Sequence, residues 1–215
     1  YLRRKKEQKT EFNQNSIKGV KFRDLLKNKK FILATITSFL DNISSASLFI
    51  FLPFLLLEKK IDASFLGAFT SVYFIGNLLG KSVIGRLADR FGNVKVFIVA
   101  ELLMALFIFL LTGVSSIILI VIFSVILGVL TKGTIPARSS MGIEAAEHHG
   151  RYEKATAFMG FVTSIGLLIA PALYGRIADL FGIVYTFYTA ALFALLAIIP
   201  ALLFYFVKQP DTIFD

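Results

Sequence analysis

Apolar residues in this chain run in blocks too long for a soluble core. Nearly continuous apolar stretches cover residues 31–57, 65–88, 94–112, 116–136, 155–174 and 183–207. About 20 such residues carry a helix across the hydrocarbon of a bilayer, so the pattern predicts six membrane-spanning helices. The first is long, and Pro53 is placed to kink it. The connections 58–64, 89–93, 113–115 and 175–182 are short, which makes consecutive helices antiparallel neighbours. The 137–154 connection is longer and mixed. It is expected to prolong the fourth helix into water before a turn at Gly150.

An internal repeat organises these spans. GRLADRFG, residues 85–92, returns ninety positions later as GRIADLFG, and nine of sixteen aligned positions onward are identical. Three spans separate the copies, so they fall on opposite sides of the membrane. Helices one to three are then repeated, inverted, by helices four to six, an arrangement characteristic of transporters. The first copy keeps Arg90 and Lys95 where the second has Leu180 and Tyr185.

Composition agrees with a membrane protein: 56% of the 215 residues are hydrophobic, 23 are Phe, and the mean hydropathy is +0.76. Without Cys, disulfides, thiol catalysis and thiolate metal sites are excluded. The net charge of +9 is concentrated in residues 1–30, which hold eleven Lys or Arg against three acids. A basic tail beside apolar spans is a cytoplasmic flank rather than a nucleic-acid surface. Placing it inside also puts the basic residues of 89–95, 137–154 and the C-terminus inside, leaving only Lys59, Lys60 and Arg176 outside. Both termini are expected to be cytoplasmic, in a multi-pass protein of the plasma (inner) membrane. Residues 1–30 read as a basic linker, in which 16–30 form either a short interfacial helix or a solvated segment. The bundle follows over 31–207, with a tail at 208–215. The chain opens on Tyr1 without an apolar leader, so no signal peptide is expected and an excerpt of a longer chain is.

The segment Gly85 to Gly92 resembles the loop motif of the major facilitator superfamily, G-x-x-x-D-R-x-G followed by basic residues. PALYGRIADLFGIVYTF, from Pro171, is similar to that family's connection between the fifth and sixth helices of a half. FRDLLKNKKF, from Phe22, resembles its central cytoplasmic linker into helix seven. Asn93 and Val94 stand where the family motif often has Arg, which weakens the basic arm to Lys95. The resemblance covers essentially the whole chain and implies an all-α fold, the C-terminal six-helix half of a twelve-helix transporter. By the same resemblance Gly85, Asp89, Arg90 and Gly92 form a gating loop. Asp89 would then sit near the N-terminal end of a neighbouring helix, with Arg90 as its partner. An ordinary cap on the next helix is the alternative for Asp89.

Ionisable residues inside spans are costly and therefore candidates for function. Asp41, Lys81, Glu101 and Lys132 stand out, and their charges cancel. Lys81 and Glu101 are equally far from position 91, roughly 15 Å along their helices, so an ion pair across the hairpin is expected. The alternatives are a snorkelling Lys81 and a structural Glu101. Thr37, Ser38, Asp41, Ser44 and Ser45 share one helical face, expected to line a water-filled cavity. Asn42 lies beside it, and Asn77 with Lys81 forms an i, i+4 polar pair. The candidate solute and coupling-ion residues are accordingly Asp41, Asn42, Ser45, Asn77, Lys81 and Lys132. Arg138 could recognise an anion, neutralise Asp41 or anchor the inner end. Gly76 with Gly80, and Gly160, Ser164 and Gly166, allow close helix approach. Glu144 and His148 fall short of a metal site, and no cofactor is expected.

These readings point to a secondary transporter that moves a small solute by alternating access. Protons are the expected coupling ion and Asp41 the key acid, in a drug or metabolite exporter. An importer of sugars, organic anions or peptides is one alternative. A non-transporting scaffold or sensor is another. The expected partners are an N-terminal six-helix half or a second copy, the lipid bilayer and the solute. No nucleophile–base pair or phosphate loop suggests an enzyme.

Overall fold

The structure, a computed structural model, describes residues 25–46, 48–146 and 152–207. Within them lie seven helices: α1 (Lys29–Ala46), α2 (Leu48–Glu58), α3 (Leu66–Phe91), α4 (Asn93–Gly113), α5 (Ile117–Ala146), α6 (Tyr152–Phe181) and α7 (Ile183–Phe206). A 3₁₀ turn, Ala63–Phe65, leads into α3. Six stretches are long and apolar enough to cross a membrane, with α1 and α2 together making the first, Lys29–Glu58. The protein is thus an all-α multi-pass membrane protein. The proposed interfacial helix and Gly150 lie mostly or wholly outside the described residues.

The ends of the helices follow local chemistry. Asn28 caps α1: its side-chain oxygen accepts from the backbone N–H groups of Lys30 (2.9 Å) and Phe31 (3.4 Å). Its amide donates to the Ala145 carbonyl at 2.9 Å, tying the start of α1 to the end of α5. At the other end of this span the Ile61 and Lys60 N–H groups bond back to the Leu56 and Leu57 carbonyls. This Schellman-type turn holds Lys60 at φ 59°, a position that usually takes glycine. Asp62 then accepts from the Ser64 N–H at 2.8 Å. Hydrogen bonding from the Ser64 hydroxyl, and then from that N–H, holds the Asp62 carboxyl below its ordinary value.

The repeated octapeptide is not a loop. GRLADRF continues α3 to Phe91, one glycine breaks the helix, and α4 starts at Asn93; GRIADLF, Gly182 and Ile183 repeat this between α6 and α7. Gly92 and Gly182 adopt φ 93° and 99° with extended ψ of 141° and 161°, a combination almost confined to glycine. Their N–H groups close the preceding helices on the Ala88 and Ala178 carbonyls, at 2.8 and 2.9 Å. Alanine and glycine therefore recur at fixed spacing because both copies build the same one-residue hinge.

Packing obeys the repeat. α3 packs on α5 as α1 packs on α6, and α1 packs on α7 as α5 packs on α4. The α3–α5 seam is the tighter of its pair. A Cβ on Gly76 or Gly80 would strike the Val125 or Val129 carbonyl, and one on Gly128 the Tyr73 carbonyl. Backbone meets backbone there, as small residues permit. Gly166 instead meets side-chain atoms of Ile43 and Phe39 at 3.3 Å, and Gly160 faces open space. The connection after the fourth span shortens as α5 runs on to Ala146.

Candidate functional site

The polar face of α1 turns into the bundle. Thr37, Ser38, Asp41, Ser44 and Ser45 are all buried, while Ile32, Ile36 and, on α2, Ile50 are exposed. The expected cavity-facing stripe is instead an internal seam, covered by α5, α6 and α7. An ionised carboxylate cannot stay unpaired at this depth, and the bundle itself supplies the partner.

That partner is Arg138. Its guanidinium lies 3.0 Å from the Asp41 carboxylate and also donates to the Ser38 carbonyl at 2.6 Å. Thr134, one turn earlier on α5, donates to Asp41 at 3.2 Å. Asp41 has no solvent exposure and lies about 18 Å along the helix from Lys29, so the pair sits deep in the span. Pro136 falls between Thr134 and Arg138, and both side chains reach the same carboxylate across it.

Glu101, on α4, completes the cluster. It is fully buried, neither of its carboxyl oxygens meets a donor group, and the Asp41 carboxyl lies within hydrogen-bonding reach. The expected Lys81–Glu101 ion pair does not form. Lys81 is exposed on the flank of α3, where its charge acts on Lys132. Equal depth along a hairpin was satisfied; the helical rotation that would bring the two together was not. Lys132 is half-buried on α5, within electrostatic range of Arg138, Asp41 and Lys81.

The remaining candidates serve other contacts. Asn77 accepts from the Thr131 hydroxyl at 3.1 Å, and Thr131 pairs with the Tyr73 hydroxyl at 3.0 Å. This buried network stitches α3 to α5. Asn42 donates to the Thr163 carbonyl on α6 at 2.5 Å, and Ser44 to the Ala190 carbonyl on α7 at 2.8 Å. Ser45 is buried beside them. Tyr174, fully buried, donates to the Ile43 carbonyl at 2.9 Å, near the end of α1.

In the motif, Gly85 is half-buried, and Asp89, Arg90 and Gly92 are exposed. Arg90 sits over the Phe91 ring, 5.3 Å from its centroid, and forms no ion pair with Asp89 among the described residues. Asp89 does not cap α4 either: it belongs to the last turns of α3, and no side chain caps α4.

Sequence reasoning missed Thr134, Tyr73, Thr131 and Tyr174, and left Arg138 between three roles. A polar residue every third or fourth position on α5, Thr131, Thr134 and Arg138, was the available signal. Among the described residues no group of three His, Asp or Glu could hold a metal.

A family model described as Major Facilitator Superfamily matches residues 34–214. Tetracycline resistance protein, class H, of Pasteurella multocida is 26% identical over 157 residues, covering 71% of this chain and 38% of that relative. The chain therefore spans well under half of the relative's length. The family match runs from the first span past the last, over an inverted six-helix bundle with a buried acid–arginine pair: the chain belongs to the Major Facilitator Superfamily.

Proposed function

We propose that this bundle is the C-terminal half of a secondary transporter that moves a small solute by alternating access. Its counterpart is an N-terminal six-helix half or a second copy. α3 and α6 are the spans least covered by the rest of the bundle, so they are the faces available to that counterpart. The basic segments favour cytoplasmic termini in the plasma (inner) membrane. Asp89 supports a gating role at the seam between halves. It sits at the negative end of the α3 dipole, where an acid is unfavourable unless a partner from outside the bundle, such as a helix N-terminus, meets it.

The observation that carries the reading is the Asp41–Arg138 pair, with the Asp41 carboxylate fully buried at mid-span. A purely structural bundle gains little from such a pair, because apolar side chains of similar volume do as well or better. A transporter gains a charge balance that one proton can tip. We assign Asp41 as the coupling acid, protons as the coupling ion and a drug or metabolite as the exported solute. The relative's name ties that protein to tetracycline resistance, which supports export of an amphipathic drug. A second reading rests on Lys81 and Lys132, whose ammonium groups lie within electrostatic range of each other and suit an organic anion.

The test is a pH gradient across proteoliposomes holding the full transporter, challenged with cationic, neutral and anionic amphiphiles. The expected result is collapse of the gradient by a cationic or neutral compound and its loss in Asp41→Asn. Collapse only by anions favours the second reading. Gradient-driven flux that survives Asp41→Asn contradicts the role given to Asp41.

A further inference from the structure

Two carboxyl groups and one guanidinium, carried by α1, α4 and α5, lie where α5 packs on α1 and on α4, and their formal charges do not cancel. Asp41 and Glu101 are both fully buried. Arg138 is the cation paired with Asp41, and its charge also acts on Glu101. The Glu101 oxygens meet no donor group, yet the Asp41 carboxyl is within hydrogen-bonding reach. Ionised carboxylates only accept hydrogen bonds. Two of them in contact repel, whereas one proton between them makes a short, charge-assisted O–H···O⁻ bond.

We propose that Glu101 and Asp41 hold one proton between them, Glu101 donating and Asp41 accepting, with Arg138 as counter-charge to the pair. The cluster is then neutral: one carboxylic acid, one carboxylate and one guanidinium. The charges that act on Glu101 are those of Asp41 and Arg138; Lys132, half-buried, acts on those two members of the cluster. α5 adds Lys132 and, as a neutral donor, Thr134; Lys81 of α3 acts on Lys132. α7 carries no charged side chain, and α6 carries Glu153, Lys154, Arg176 and Asp179 only towards its ends.

Release of the proton from the Glu101 hydroxyl to water leaves two carboxylates against one guanidinium. Arg138 must then divide between them, which loosens its bond to the Ser38 carbonyl and the Thr134 bond to Asp41. The proton is thereby linked to the packing of α1 on α5. For its role in coupling this inference rests on the transport reading above; the shared proton itself does not.

Infrared spectroscopy of the full protein in lipid reads that proton directly, as a buried carboxylic-acid carbonyl band that shifts in deuterated water. At neutral pH the band is expected in the unmodified protein and absent from Glu101→Gln, whose amide keeps the size and the donor of the protonated acid. Asp41→Asn should also remove it, because Glu101 then ionises as the counter-charge of Arg138. Arg138→Met should strengthen it, since both acids must then be neutral. No band in the unmodified protein, or a band unchanged by Glu101→Gln, overturns the proposal. If the band is missing while a pH gradient still drives flux, transport stands and its proton sits elsewhere. If the band behaves as expected and no solute moves, the shared proton stands and the transport reading falls.

Discussion

Replacing Arg138 by Met tests the central pair through stability rather than flux. The side chain makes two contacts, to the fully buried Asp41 carboxylate at 3.0 Å and to the Ser38 carbonyl at 2.6 Å. Met keeps much of the apolar stem and removes the charge. Breaking a buried pair by deleting one partner costs about 3–5 kcal/mol. An independent bound comes from protonation, because an acid left without its cation can always neutralise itself. For an ordinary carboxyl that costs about 4 kcal/mol at pH 7 and about 1.5 kcal/mol at pH 5. The lost Ser38 bond adds about 1 kcal/mol that does not depend on pH. The expected destabilisation is therefore about 5 kcal/mol at pH 7 and about 2.5 kcal/mol at pH 5.

The sign follows from linkage. Between these pH values the folded variant binds one proton more than the folded unmodified protein, while their unfolded forms bind the same number at these carboxyls, so the variant's stability relative to the unmodified protein rises as pH falls. These residues contain no Trp and no Cys, so unfolding is best followed as loss of helicity by circular dichroism, during denaturant titration in detergent. Adding Asp41→Asn to Arg138→Met should restore about 4 kcal/mol at pH 7, since no charge then needs neutralising. An Arg138→Met penalty equal at both pH values, or below about 1 kcal/mol, refutes the reasoning.

Two further predictions concern the scaffold. Gly80→Ala places a Cβ against the Val129 backbone and should destabilise by about 1–3 kcal/mol; Gly160→Ala, with nothing nearby, should stabilise α6 by up to about 1 kcal/mol. Thermal melts of the two variants should shift in opposite directions. Gly92→Ala and Gly182→Ala meet no neighbour, so each should show only the backbone cost of its conformation, about 1–3 kcal/mol. Equal shifts within error would confirm that both copies of the octapeptide are the same hinge, and no shift in either would deny it.

The spans were legible because hydropathy over twenty residues needs no knowledge of neighbours. Their joints were less so. The charged run RLADR suggested a loop, yet it contains no helix breaker, and the first residue able to end α3 is Gly92. The polar face of α1 was also legible as a face, from its spacing. What that face meets was not, since i, i+3 and i+4 spacing fixes which residues are together and says nothing of the opposing helix. Lys81 and Glu101 failed for the same reason. Their depth followed from counting, whereas their rotation was set by Gly76 and Gly80 docking α3 on α5, which leaves Lys81 at the edge of the seam.

The repeat constrains where the charge cluster can lie. Helices α1 and α5 open the two halves of the repeat and pack on each other, so a symmetric sequence would put like groups face to face. Two acids there would repel and two arginines would do the same. The ninety-residue offset pairs Asp41 with Thr131, Glu101 with Ala191 and Arg138 with Leu48; each charged residue has an uncharged counterpart. Fold symmetry is kept in the glycine hinges and broken at the acid pair. The breakage also has a mechanical side. α5 is fastened to α3 backbone to backbone through Gly76, Gly80 and Gly128, whereas α1 meets α6 at Gly166 through the side chains of Phe39 and Ile43. If the pair gives up its proton, the unbalanced charge pulls between α1 and a helix that is already anchored, so the displacement should fall on α1. Hydrogen exchange in the full protein should then quicken over 29–46 in the deprotonated state, before it quickens over α3. Exchange that quickens first in α3 would mean that the glycine seam, and not the α1 interface, is the softer joint.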